Sequence, residues 1–291
     1  MRVDLLAGTA YIPRVMPSPV PTILVFDSGL GGLTVFSEVL KARPDARFVY
    51  AADDAGFPYG RLNEAELVAR VAVVMERLID VHRPQMVVVA CNTASTLVLP
   101  HLRARFPLPF VGTVPAIKPA ALATKSKKIT VLATPGTVAR DYTRDLIETY
   151  AAGCEVNLIG SRRLAGFAEA ELTGAPVSDA DLLCELRPCF IEDGAGRTDV
   201  VTLSCTHYPL LLDRLRGLAP WPVTWIDPAP AIARRVVQLI GGPVPGHEAD
   251  ENEMVAVFTE GRGIEAGLRE ALRAKGLPAI AIEPLPFLQA Q

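Results

Sequence analysis

Short unbroken apolar runs, rich in β-branched residues, alternate along this chain with longer stretches whose apolar residues recur every three to four positions. The runs fall at 22–26, 47–51, 86–90 and 110–113, then at 129–133, 155–159, 200–204 and 223–226. A continuous run without in–out alternation is the pattern of a strand covered on both faces, as in a parallel sheet. Helical spacing separates them. In 63–81, Leu67, Val71, Val74, Met75 and Leu78 line one face. Strand and helix alternating over this length predict an α/β protein with mostly parallel central sheets.

The runs at 86–90 and 200–204 each end in a cysteine and occupy similar places in two similar series. The chain therefore reads as two halves of one architecture. A first boundary is expected in the proline-containing stretch 113–119, and a second crossing at Asp227-Pro228-Ala229-Pro230. Beyond it a helix (231–240), a Gly/Pro linker (241–246), a strand (254–259) and a helix (264–275) are expected to return to the first half. The expected division is thus 22–113 plus 230–291 as one discontinuous α/β domain and 114–229 as the second. The stretch 1–21 is expected as an N-terminal extension, since its four prolines and lack of an apolar core do not make a secretory signal. The tail 278–291 carries no clear signal.

Composition narrows the function classes. Half of the 291 residues are hydrophobic and 21% are charged, which excludes disorder as the main state. The net charge is −3 with no block of five like charges, so neither nucleic acid nor an anionic membrane is expected as the main partner. The apolar runs are strand-length, too short to span a bilayer. Five cysteines, an odd count without a CxxC pair, point to reduced thiols in the cytoplasm.

The chemistry gathers at strand ends, where open α/β sheets place ligands. Cys91-Asn92-Thr93-Ala94 follows one run and Cys205-Thr206-His207-Tyr208 another, 114 residues apart. The commonest fate of a free cysteine is that of a small buried hydrophobe, and Cys154, Cys184 and Cys189 fit it. Cys91 and Cys205 differ because polar residues follow each directly. A helix N-terminus lowers a thiol pKa below roughly 8.5 and makes it a usable base or nucleophile. His207 is placed to exchange a proton with Cys205. Asp27-Ser28-Gly29-Leu30-Gly31-Gly32 ends the first run without the dinucleotide spacing GxGxxG. Its glycines permit a tight turn with free backbone N–H groups for an anion. Asp27 reads equally as a base or as a helix-capping aspartate. Asn92 and Thr93, and Thr134 and Thr137 in the second half, suit a carboxylate, and are also ordinary caps. Phe57-Pro58-Tyr59-Gly60 reads as a structural turn. Two competitors fit less well. Zinc would take Cys91, Cys205 and His207, but no fourth ligand pairs with Cys91. A Cys205–His207 hydrolase leaves Cys91 idle.

Taken together, Phe26-Asp-Ser-Gly-Leu-Gly-Gly-Leu-Thr34, Pro58-Tyr-Gly60, Val89-Ala-Cys-Asn-Thr-Ala-Ser95 and Cys205-Thr-His-Tyr-Pro209 resemble the glutamate racemase family. That family lies within the cofactor-independent aspartate/glutamate racemases. The resemblance spans roughly 22–240. It implies two pseudosymmetric α/β domains with the active site in the cleft between them. It implies interconversion of L- and D-glutamate for peptidoglycan synthesis, with no cofactor and no metal. Carried over, Cys91 and Cys205 are the two proton donor/acceptors, Asp27 assists Cys91, and His207 and Glu169 serve Cys205. Substrate contacts fall on Asp27, Ser28, Tyr59, Gly60, Asn92, Thr93, Thr134, Thr137, Thr206 and His207. A cytoplasmic homodimer is expected. The runner-up readings are aspartate as substrate and a regulatory binding protein, some family members being reported to touch DNA gyrase. The chain departs from the family pattern at Ser204, where glycine is usual, at Asp54-Ala-Gly-Phe57, and at Arg162.

Overall fold

The computed structural model describes residues 20–250, 253–261 and 263–284. Most of the expected N-terminal extension (1–19) and the end of the tail (285–291) lie outside the described residues. The strands are β1 (Thr22–Asp27), β2 (Arg47–Ala52), β3 (Met86–Val89), β4 (Phe110–Gly112), β5 (Lys128–Ala133), β6 (Glu155–Gly160), β7 (Glu192–Asp193), β8 (Gly196–Arg197), β9 (Val200–Ser204), β10 (Thr224–Ile226), β11 (Val255–Phe258) and β12 (Ala279–Ile282).

Two parallel sheets organise a two-domain α/β fold. One has six strands in the order β12-β11-β2-β1-β3-β4, the other four in the order β10-β9-β5-β6. The likeness of the halves is visible in that order. β2-β1-β3-β4 in the first sheet matches β6-β5-β9-β10 in the second, so β3 and β9, the strands before Cys91 and Cys205, are equivalent. In each sheet the chain crosses first to one side of the opening strand and then to the other. The carboxyl ends of β1 and β3, and of β5 and β9, flank such a reversal, which leaves a crevice for a ligand.

The central strands β1, β2, β3 and β9 are mostly apolar because both faces are covered, whereas the edge strand β6 carries Glu155 and Asn157 and is only partly buried. Along β1, Ile23 and Val25 join a core built with Leu33, Phe36 and Val39 of the helix Leu33–Ala42 and Ile232, Ala233 and Val236 of the helix Ala229–Ile240. Leu24 and Phe26 pack on the opposite face against the helices Glu64–His82 and Asn92–Arg105. The helix Glu64–His82 starts at a capping box, with Asn63 Oδ1 accepting from Glu66 N at 3.0 Å and Glu66 Oε2 from Asn63 N at 3.0 Å. Its buried residues are the five that the spacing placed on one face. Truncating one of them, Leu67→Ala, is expected to cost about 2–5 kcal/mol, seen as a lower urea midpoint. On the same helix Val73 is 37% exposed, and Val73→Ala is expected to stay within about 0.5 kcal/mol.

Two differences from the sequence reading concern the weakest patterns. The tail yields a sixth strand, β12, pairing with β11; an Ala-Ile-Ala-Ile segment on a sheet edge has too few residues to declare its period. A two-residue hairpin, β7 with β8, precedes β9. The return of the chain to the first sheet occurs as expected, through β11 beside β2.

Candidate active site

The loop after β1 is folded around the Asp27 carboxylate. Asp27 is fully buried; Oδ1 accepts from Ser28 N at 2.8 Å and Oδ2 from Gly32 N at 2.5 Å. It thus ties the turn that leads into the helix Leu33–Ala42, whose N-cap is Gly32 and which has no side-chain cap. It also accepts Thr206 Oγ1 at 3.1 Å from the other sheet, which no cap requires. Burial raises the Asp27 pKa, opposed first by the nearby His207 and then by these hydrogen bonds. Tyr50 holds the same loop from β2, donating its hydroxyl to Gly29 O at 2.6 Å.

Cys91 forms the N-cap of the helix Asn92–Arg105 and is 5% exposed. Its Sγ lies 3.7 Å from Ser28 Oγ. The expected acidification by the helix end does not prevail. Burial, and then the negative charge of Asp27, push the Cys91 thiol well above the ordinary cysteine range. The charge of Cys205 acts in the same direction, so the two sulfurs share one electrostatic environment.

Cys205 follows β9 and is 6% exposed. Its Sγ is 3.7 Å from His207 Nδ1, and His207 Nε2 is 2.9 Å from Glu169 Oε1. Glu169 comes from the helix Leu164–Leu172 and also accepts Leu30 N at 2.8 Å. Gly31 N lies 3.2 Å from the same Nε2. One nitrogen cannot accept from Gly31 while donating to Glu169, and the shorter contact with a carboxylate wins. Burial alone would lower the His207 pKa, but the contacts with Cys205 and Glu169 carry it well above the ordinary imidazole value. The glycines of this loop have a packing reason: a Cβ at Gly31 would run into the His207 ring, and one at Gly29 into Glu169.

On the other flank, Thr93, Thr134 and Thr137 form a triangle of hydroxyls, with Thr93 Oγ1 at 2.9 Å from Thr134 Oγ1 and 3.4 Å from Thr137 Oγ1. Thr134 N-caps the short helix Pro135–Val138. Gly60 abuts this group, 3.6 Å from a Cβ position on Gly136. Asn92 is buried, and its Nδ2 has no hydrogen-bond partner. A buried amide donor left open costs roughly 1–3 kcal/mol.

The structure thus gathers Asp27, Ser28, Cys91, Cys205, Thr206, His207 and Glu169 into one contact network, with Asn92, Thr93, Thr134, Thr137 and Gly60 beside it. Tyr59 is placed differently. Its hydroxyl donates to Asp53 Oδ2 at 2.5 Å and its ring packs toward Phe26 in the core, so its side chain is committed elsewhere. Sequence reasoning missed Phe57, whose ring packs against His207 at 5.4 Å between centroids, tilted by 41°. It also missed Thr34, which donates to Thr206 O at 3.0 Å. Proximity to Pro58-Tyr-Gly60 was the only available signal for Phe57, and the place of Thr34 at the end of the motif 26–34 was the signal for the second. Ser204 has a local reason, pairing with Thr202 Oγ1 at 2.9 Å inside β9. Arg162 is exposed. Among the described residues no group of three or more His, Cys, Asp or Glu side chains could hold a metal ion, and no helix is long and apolar enough to cross a membrane.

Known proteins are similar to this chain in sequence and fold. The Asp/Glu/Hydantoin racemase family model matches residues 33–236. A Brucella ovis glutamate racemase is 51% identical over 261 residues, 89% of this chain and 94% of that protein. The Brucella anthropi glutamate racemase is 52% identical over 88% of this chain and 92% of its own. Among solved structures, Escherichia coli glutamate racemase, crystallised with L-glutamate and the activator UDP-MurNAc-Ala, superposes with a TM-score of 0.83 at 39% identity. It covers 91% of this chain and 99% of its own. A Bacillus anthracis glutamate racemase gives 0.69 at 27% identity, over 92% and 98%. With the family's motifs in contact with one another and its relatives matched over nearly their whole length, this chain belongs to the glutamate racemases, isomerases of the Asp/Glu/hydantoin racemase family.

Proposed function

We propose that the protein interconverts L- and D-glutamate by a two-base proton transfer between Cys91 and Cys205. The substrate lies in the cleft between two domains, 22–113 with 230–291 and 114–229. The observation that carries this reading is the equivalence of the two thiols. Each follows the same strand of its own sheet, and the charge of Cys205 bears on the ionisation of Cys91.

Racemisation removes the α-proton from one face of the α-carbon and returns a proton to the other. A single fixed base favours return to the same face, whereas two opposed bases invert directly. One sulfur must be thiolate while the other is thiol. Asp27 and Ser28 attend Cys91; the pair His207–Glu169 attends Cys205. The α-proton is a poor acid, so charge on the carbanion-like state needs donors already in place in a water-poor site. The open Asn92 Nδ2, the threonine hydroxyls and the backbone N–H groups around them suit the substrate carboxylates. The L-glutamate bound to the Escherichia coli relative supports glutamate as substrate, and the family's role supports supply of D-glutamate to peptidoglycan in the cytoplasm, by a homodimer.

In deuterated water, either enantiomer of glutamate is expected to lose optical activity and gain α-deuterium in the product. Absence of both sinks the proposal. A panel including both enantiomers of aspartate fixes the side-chain length accepted.

A further inference from the structure

Just past β2, Asp53 is fully buried and receives hydrogen bonds from three distant parts of the chain. Tyr59 donates its hydroxyl to Oδ2 at 2.5 Å. Arg70, in the helix Glu64–His82, donates Nε to Oδ2 at 2.5 Å and Nη2 to Oδ1 at 2.6 Å. Thr259, just after β11, donates Oγ1 to Oδ1 at 2.7 Å. A two-pronged guanidinium grip fixes the plane of a carboxylate as well as its position. Here that carboxylate in turn fixes Tyr59.

The segment so held runs beside the active site. A Cβ at Gly56 would meet the Arg70 guanidinium and, at 2.8 Å, the Tyr59 ring, so glycine there lets Arg70 lie directly on the loop. Asp54 pins the loop's start, accepting Glu260 N at 2.9 Å and Gly261 N at 2.8 Å. Between these two anchors stands Phe57, its ring packed at a tilt against His207. The same ring lines a cavity of about 320 Å3 together with Glu169, Asp54 and Ala55. Beyond Tyr59, Gly60 abuts Thr134 and Gly136. Asp53, Arg70 and Thr259 make no hydrogen bond to Cys91, Cys205, His207 or Glu169.

We propose that Arg70 is a positioning residue, which through Asp53 and Tyr59 holds the loop 54–60 so that Phe57 seats His207 and shields it from the adjoining cavity. This deepens the racemase reading and rests on it for its kinetic consequences. A loop freed from Asp53 lets Phe57 withdraw, lets water reach His207, and weakens its contacts with Cys205 and Glu169. Misplacement by about 1 Å costs about 10²-fold in rate.

The test uses full-length Arg70→Met, Arg70→Lys and Tyr59→Phe proteins. Racemisation kcat and KM are followed against pH, and the His207 ring signal, one of four histidines, is titrated by NMR. Arg70→Met is expected to lower kcat per folded molecule about 10²-fold and to move the His207 midpoint down toward the ordinary value of about 6.5. Arg70→Lys restores part of both, and Tyr59→Phe shifts both in the same direction by less. A merely structural role predicts fewer folded molecules with kcat, pH limb and His207 midpoint unchanged, and that result overturns the proposal. Should Arg70→Met fail to fold by circular dichroism, Tyr59→Phe, which removes one hydroxyl, decides on the same readouts. Should the unsubstituted chain not racemise glutamate, the functional reading fails, and the His207 midpoint alone still decides this one.

Discussion

Cys91→Ser and Cys205→Ser are each expected to lose racemisation by more than about 10³-fold, the upper range for removing a proton-transfer group. A serine hydroxyl keeps the shape and loses the accessible anion. Folding should survive, since both sites already accommodate hydroxyl neighbours, with Ser28 Oγ 3.7 Å from the Cys91 sulfur and Ser204 and Thr206 flanking Cys205. The sharper expectation is complementarity. With one thiol left, proton abstraction remains possible from one face only, and the proton returns to that face. Cys91→Ser should therefore exchange the α-proton of one enantiomer with solvent without inverting it, and Cys205→Ser that of the other. Mass spectrometry of each recovered enantiomer from deuterated water reads this directly. Exchange of the same enantiomer by both variants would falsify opposed placement, and full racemisation by either removes the two-base scheme.

His207→Asn should lower kcat/KM about 10²–10⁴-fold, since it cuts the path from Cys205 to Glu169 at 3.7 and 2.9 Å. The pH dependence follows from the direction of the His207 shift. Burial depresses its basicity, yet Cys205 and Glu169 together raise it well above the usual value. Activity that needs the imidazolium is present at neutral pH and lost as pH climbs through that raised value. Glu169→Gln removes one of the raising influences and leaves those of Cys205 and Asp27, so the alkaline limb should move to lower pH. An unmoved limb in Glu169→Gln would show that the carboxylate does not tune His207. Stability obeys the same sign. Protonated His207 contributes fully below its unfolded pKa of about 6.5, and that contribution disappears as pH rises through the folded value.

Much of this was legible without coordinates because it is local. The period of three to four in 63–81 named the five residues that the helix Glu64–His82 buries, since side-chain direction follows from backbone geometry alone. The continuous runs named the parallel strands to within a residue or two, because a strand covered on both faces has no polar positions to spare. Cys91 and Cys205 stood out for the same reason: polar residues abruptly follow an apolar strand, where the chain leaves the sheet.

Other features depend on distant partners. Tyr59 reads from its motif as a substrate contact, yet its hydroxyl goes to Asp53, placed within reach by the turn between them and gripped by Arg70. Asp53 itself, in Ala-Ala-Asp-Asp, carries no sign that Thr259 will reach it across 206 residues. β12 became a strand only because β11 offers it an edge.

The sequence alone therefore determined which thiol and polar side chains stand at which strand ends, because periodicity and strand-exit polarity are local properties. It did not determine their states. Burial beside Asp27 raises the Cys91 thiol where its helix end was expected to lower it, and Glu169, 38 residues before His207, settles the proton on the imidazole. Desolvation and charge proximity exist only once two sheets have closed on one another. The tertiary structure thus decided that two thiols 114 residues apart share one electrostatic environment, and which of their neighbours each would have.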